Sequence, residues 1–199
     1  MPKFALVAYL AFVLVAFGWR TWRQYRQTGD SGFRGFTGDA VGRSASILFA
    51  AGLVLALIAP ILELVGWVAP APGLARPGVH AIGVAAFALG FALTTLAQVQ
   101  MGVSWRIGVS AGEGTALVTH GVFGHVRNPI FTGMLLALVG LVLLVPSWLA
   151  ALAALCGLVA VEVQVRRVEE PYLLRMHGDR YREYARSVGR FVPGLGRLS

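Results

Sequence analysis

Residues 134–161 carry no charge and are broken only by Pro146 and Ser147, and this run does most to limit what the chain can fold into. A proline lacks the donor that a continuing helix needs, and so short a connection makes the helices on either side antiparallel neighbours. The run therefore crosses a bilayer and returns, so the segments flanking it emerge on one side. Those flanks are residues 117–133, LVTHGVFGHVRNPIFTG, and residues 168–193, VEEPYLLRMHGDRYREYARSVGRFVP. Two polar strings brought to one membrane face can hold a soluble cofactor while a lipidic substrate arrives from the bilayer.

The rest of the chain fits the same class. Hydrophobic residues make up 57% and charged residues 13%, with a mean hydropathy of +0.71, a balance that no soluble core of 199 residues requires. Apolar runs predict five transmembrane helices over residues 3–19, 45–68, 79–97, 130–145 and 148–165. The first ends in Trp19-Arg20-Thr21-Trp22-Arg23, an interfacial anchor, and no small-residue cleavage site follows, so it reads as a mature span and not a signal peptide. The fourth is short, and Asn128-Pro129 reads as an Asn cap with proline at the first helical position. The expected fold is an all-α integral membrane protein, a single membrane domain over residues 1–199, with a tight fourth–fifth hairpin and a cytoplasmic C-terminal amphipathic helix.

Charge fixes the orientation. With five spans, 15 of the 17 basic residues fall on one side and Lys3 and Arg76 alone on the other. By the positive-inside rule the amino terminus is outside and both polar strings are cytoplasmic, in a multi-pass protein of the inner (plasma) membrane. The net charge of +8 then belongs to a surface facing anionic lipid and calls for no nucleic acid. Arg20, Arg23, Arg26 and Arg34 read as topology determinants. The single cysteine, Cys156, sits in an apolar run as a packing residue.

Common catalytic patterns are missing. Gly112-Glu113-Gly114 reads as a turn, and His120 and His125 stand five apart in a glycine-rich loop, poor spacing for a metal. Other residues suit a cationic, purine-bearing cofactor. Glu169 and Glu170 either hold ribose hydroxyls or balance Arg166 and Arg167. Arg127, Asn128 and Pro129 either open a helix whose backbone donors favour an anion or form a cap beside a topology arginine. Tyr181 and Tyr184, one turn apart on the amphipathic terminal helix, either anchor at the interface or touch a ligand. Pro171 is expected to bend or restart the chain after the acidic pair.

In combination these residues resemble the isoprenylcysteine carboxyl methyltransferase family of integral membrane methyltransferases, itself similar to phospholipid N-methyltransferases. The resemblance rests on Gly121, Phe123, Arg127, Pro129 and Phe131, then the hairpin, then Glu169, Glu170, Gly178, Tyr181, Tyr184, Arg190 and Pro193, in order and over residues 98–199. It implies that this region is catalytic, with S-adenosylmethionine as methyl donor bound between the arginine loop and the tail. It places the cofactor on His120, Gly121, Phe123, Arg127, Asn128, Pro129, Glu170, Tyr181 and Tyr184. It gives catalytic roles to Arg127, Glu169 and Arg190, the arginines holding carboxylates and Glu169 positioning a headgroup or cofactor.

Departures from the family pattern bear on the acceptor. Asn128 stands in place of the usual histidine and removes a titratable group, which excludes base chemistry at that position. The expected methyl acceptor is a lipophilic or small molecule presenting a carboxylate, thiol or amine, and a hydrophobic one is expected to enter laterally through a gap near the short fourth span, beside Gly133 and residues 162–164. The rival readings are an NADPH-dependent lipid reductase, which needs a further basic cluster, and a noncatalytic scaffold. Ala, Gly, Val and Arg richness suggests a GC-rich bacterial source, where prenylated proteins are not expected. The sequence does not fix the oligomeric state.

Overall fold

The computed structural model describes residues 1–33, 40–108 and 116–198; Arg34 and the Gly112-Glu113-Gly114 turn lie outside them. The described residues are helical with two isolated bridges, in the order α1 (Pro2–Val13), a π-helical stretch (Leu14–Trp19), α2 (Arg20–Thr28), α3 (Ala40–Leu64), α4 (Pro77–Met101), α5 (Pro129–Leu144), α6 (Trp148–Val163), a second π-helical stretch (Gln164–Glu169) and α7 (Glu170–Ser187). Four helices are long and apolar enough to cross a membrane, while α5, at 16 residues, is shorter. At 1.5 Å per residue α5 is about 24 Å long, less than the hydrocarbon thickness. The five-helix expectation thus holds with one short member.

Packing follows the small residues. Helix α4 lies along α5, and α3 along α6. A Cβ on Gly90 would meet the Ala137 nitrogen at 2.3 Å, and one on Gly140 the Phe87 nitrogen at 2.4 Å, so the α4–α5 backbones are in contact, as membrane helices built on glycine allow. Gly133 belongs to this seam: its Cβ would lie 2.5 Å from Thr94 Oγ1 and 2.7 Å from the Gly90 carbonyl. It therefore faces α4 and borders no opening itself, while Ile130, Phe131 and Met134 of α5, with Gln164, line a cavity. Glu162 pairs with Arg166 one turn on.

The tight hairpin is as expected. Ser147 caps α6 by accepting from the Ala150 amide at 3.3 Å, which fixes the turn after Pro146. The aromatic core between α1, α3, α4 and α5 includes Tyr9, Phe12 and Phe87, with the Tyr9 hydroxyl donating to the Leu53 carbonyl at 2.6 Å.

The basic end of the bundle adds detail to two expectations. The first helix runs unbroken from Pro2 to Thr28, and Arg20, read as a topology determinant, is 1% exposed. Its guanidinium stacks 4.6 Å from the Trp105 ring centroid and donates to Gln24 Oε1 and the Gly102 carbonyl. Arg23 and Arg26 do lie on the surface, over Trp19 and Trp22. Pro171, in turn, does not restart the chain. A π-helical stretch precedes it and the helix continues past it; the break comes at Gly178, where φ is +53° and ψ is −126°, a conformation that only glycine adopts at low cost.

Candidate functional site

The two polar strings meet as a zipper. Parallel pairing of Val126 with Gly189 sets the register, and the amides of Arg127 and Asn128 donate to the carbonyls of Gly189 and Arg190 at 2.8 and 3.1 Å. Thr132, one turn into α5, donates through its hydroxyl to the Phe191 carbonyl at 2.9 Å. Asn128 occupies the position before α5, but its side chain makes no cap; its Nδ2 donates to the Arg190 carbonyl at 3.1 Å. The expected Asn cap is thus replaced by a cross-link to the tail, and Pro129 does stand at the first helical position.

Beneath the zipper lies a buried ion cluster. Arg190 grips Glu170 in a fork, Nε to Oε1 at 2.8 Å and Nη2 to Oε2 at 2.9 Å, while Arg127 Nη2 reaches Oε1 at 2.7 Å. Arg127 also donates from Nη1 to the carbonyls of Ala185 and Val188, and from Nη2 to that of Gly196. Burial opposes charge on Glu170, but the hydrogen bonds from Arg190 and Arg127 win and hold its carboxyl below the usual range. The same bonds raise Arg190. Two guanidiniums against one carboxylate leave the cluster one positive charge in excess, and Arg127 Nε is buried with no partner.

Around the cluster stand the other residues expected to hold a cofactor. Gln100 Oε1 accepts from the Val122 amide at 2.9 Å and fastens the turn Gly121–Gly124 to the end of α4. His120, just before that turn, is exposed, and Phe123 is buried. Tyr184 donates to the Phe123 carbonyl at 2.6 Å and meets the Tyr181 ring edge-on at 6.1 Å. Tyr181 is 1% exposed, so the interfacial-anchor reading of this tyrosine fails. Burial pushes the Tyr184 hydroxyl up to about 12, and it stays a neutral donor.

Glu169 points elsewhere. It lines a cavity of about 340 Å³ whose wall is mostly apolar and comes from both halves of the chain, including Phe17, Phe49, Trp105, Phe131, Met134 and Leu173. Both π-helical stretches border it, through Phe17 on one and Gln164 and Glu169 on the other. Among the ionisable groups lining this cavity are Glu169, Arg106 and Tyr172. Gln164 donates to Glu169 Oε1 at 3.4 Å, and the Arg106 guanidinium lies 5.9 Å from the centroid of the Tyr172 ring. Desolvation by the cavity wall dominates and raises the Glu169 carboxyl to about 7; the Gln164 bond opposes the rise, the Glu170 charge adds to it and the Arg106 charge opposes it.

Sequence reading thus brought Arg127, Asn128, Glu170, Tyr181, Tyr184 and Arg190 to one place, and separated none of them from Glu169. It missed Thr132, whose signal was a hydroxyl one turn inside an otherwise apolar helix, and it singled out Gln164 only as part of the acceptor's route; the structure sets Gln164 and Arg106 in the cavity wall.

Known proteins supply an independent line. The family model described as phospholipid methyltransferase matches residues 79–180, half of the chain. Protein-S-isoprenylcysteine O-methyltransferase B of Arabidopsis thaliana is 29% identical over 154 residues, covering 75% of this chain and 77% of its own. The protein-S-isoprenylcysteine O-methyltransferase of Schizosaccharomyces pombe is 30% identical over 109 residues, 53% of this chain and 45% of its own. The solved structure of a eukaryotic intramembrane Ras methyltransferase, isoprenylcysteine carboxyl methyltransferase, superposes with a TM-score of 0.64 over all of this chain and 70% of that one at 19% identity, a likeness of fold. The chain belongs to the phospholipid methyltransferase family, and its resemblance to the isoprenylcysteine carboxyl methyltransferases extends to both sequence and fold.

Proposed function

We propose that this membrane methyltransferase moves a methyl group from S-adenosylmethionine to a lipophilic acceptor at the cytoplasmic face. The observation that carries the reading is the division of the acidic pair: Glu170 is tied into the cluster that joins arginine loop to tail, while Glu169 lines the cavity on the other side of the same helical turn. A water-soluble donor and an apolar acceptor need just such compartments back to back. Residues 98–199 form the catalytic region, with Phe17 of the first π-helical stretch and residues of α3 completing the cavity wall.

The residues present fit the donor. A buried cluster with one positive charge in excess suits a ligand with a carboxylate, and the turn that carries Phe123 is tied to Tyr184 through the Phe123 carbonyl. When bound, S-adenosylmethionine supplies a methyl group on positively charged sulfur, open to in-line displacement. The chain's own contribution is alignment and exclusion of water. The apolar wall desolvates the acceptor, and Glu169 meets its headgroup. Asn128 cannot take a proton, since it is an amide spent on the Arg190 carbonyl. The 15 to 2 distribution of basic residues puts both compartments on the cytoplasmic side.

Thermal shift on the detergent-purified protein tests the donor. S-adenosylhomocysteine should raise the melting temperature and NADPH should not; the reverse result would establish the reductase reading. Transfer of labelled methyl into a lipid extract then tests the acceptor class.

A further inference from the structure

The two arginines in the cluster are not equivalent. Arg127 has a side chain 1% exposed, its Nη1 and Nη2 are committed to three carbonyls and Glu170, and its Nε is sealed in protein. No edge of this guanidinium is reachable. Arg190 gives Nε and Nη2 to the two oxygens of Glu170, which fixes the plane of its guanidinium and leaves Nη1 on the edge away from that carboxylate. Its side chain is 11% exposed. Gly196 lies against that edge: a Cβ there would come 3.3 Å from Nη1, so the lack of a side chain keeps Nη1 clear.

We propose that Arg190, oriented by Glu170, receives the carboxylate of the donor's amino-acid end through Nη1, and that Arg127 is a positioning residue that touches no ligand. The inference rests on the methyl-donor reading above and resolves which side chain does the binding. The fork with Glu170 is what makes it work: a guanidinium held at two nitrogens presents the third in a fixed direction, so little freedom is lost when a ligand binds. The incoming carboxylate also neutralises the charge that Glu170 leaves unmatched.

Isothermal titration with two probes separates the possibilities. S-adenosylhomocysteine carries the carboxylate; its decarboxylated analogue, S-adenosyl-3-thiopropylamine, keeps the nucleoside, thioether and amine. Wild-type protein should prefer the first by about tenfold or more, the size of a lost charge-assisted hydrogen bond. Arg190→Gln and Glu170→Gln should shrink that preference to about twofold, read as the ratio of the two affinities within each variant, and Arg190→Lys should restore part of it. Equal wild-type affinity for both probes overturns the assignment but leaves the donor reading intact, whereas binding of neither removes both. Arg127→Lys, which keeps the charge, should preserve the preference; its loss there, with retention in Arg190→Gln, would transfer the role to Arg127.

Discussion

Where α6 runs into α7 two regions meet back to back, the apolar cavity holding Glu169 and the ion cluster holding Glu170, and the same side chain responds to them in opposite ways. Glu169 is raised to about 7 by desolvation, with Arg106 too weak an offset. Glu170 is desolvated as well, yet two guanidiniums in direct contact hold it low. The difference teaches that burial by itself does not set the charge of a carboxylate; the count and distance of donors does. It also separates their character: Glu170 is an anion suited to fastening, and Glu169 a group whose charge changes near neutrality at the wall of the apolar cavity.

The sharpest way to break this contrast is to remove the cluster's centre. Arg127→Ala leaves Glu170 short of one partner and releases the carbonyls of Ala185, Val188 and Gly196, a change of about 3–5 kcal/mol for a disrupted buried pair. Hydrogen exchange should show residues 188–198 losing protection while α4 and α5 keep theirs. Continued protection of the tail would mean that the backbone zipper suffices and the ions do not fasten it.

A smaller effect comes from pH. Because the folded value of Glu169 lies above its ordinary 4.5, its contribution to stability is fully present below about 4.5 and is lost as pH rises through about 7. Glu170, whose value is lowered, contributes in the opposite sense, above its ordinary value, and loses that only in acid. Between pH 5 and 8 the melting temperature of wild type should therefore fall, and Glu169→Gln should flatten the profile. An unchanged slope in the variant would place the titration on another group.

The smallest effect sharpens the comparison by control. Arg23→Ala removes a half-buried guanidinium stacked on Trp19, and should change S-adenosylhomocysteine affinity by less than about 0.5 kcal/mol. A larger loss would show that surface charge, and not the buried cluster, carries donor recognition.

Much of this molecule was legible in the amino-acid sequence because membrane insertion is a property of composition and length. Charge-free runs, the Pro146-Ser147 turn and the arrangement of basic residues are local, and they determined five helical segments, the hairpin and which polar strings share a face. The combination of Arg127, Glu169, Glu170, Tyr181, Tyr184 and Arg190 likewise pointed to the family. Direction was not legible. Neighbours in sequence such as Glu169 and Glu170 diverge by about 100° around a helix, so only the fold decided that one lines a cavity and the other a salt bridge. Residues as distant as Phe17, Phe49 and Glu169 form one wall because α1, α3 and α6 pack together, and Arg20 and Gly133 turned inward through partners far along the chain. Charge and hydropathy are summed along a sequence, whereas hydrogen-bond partners and cavity walls are chosen by packing in space.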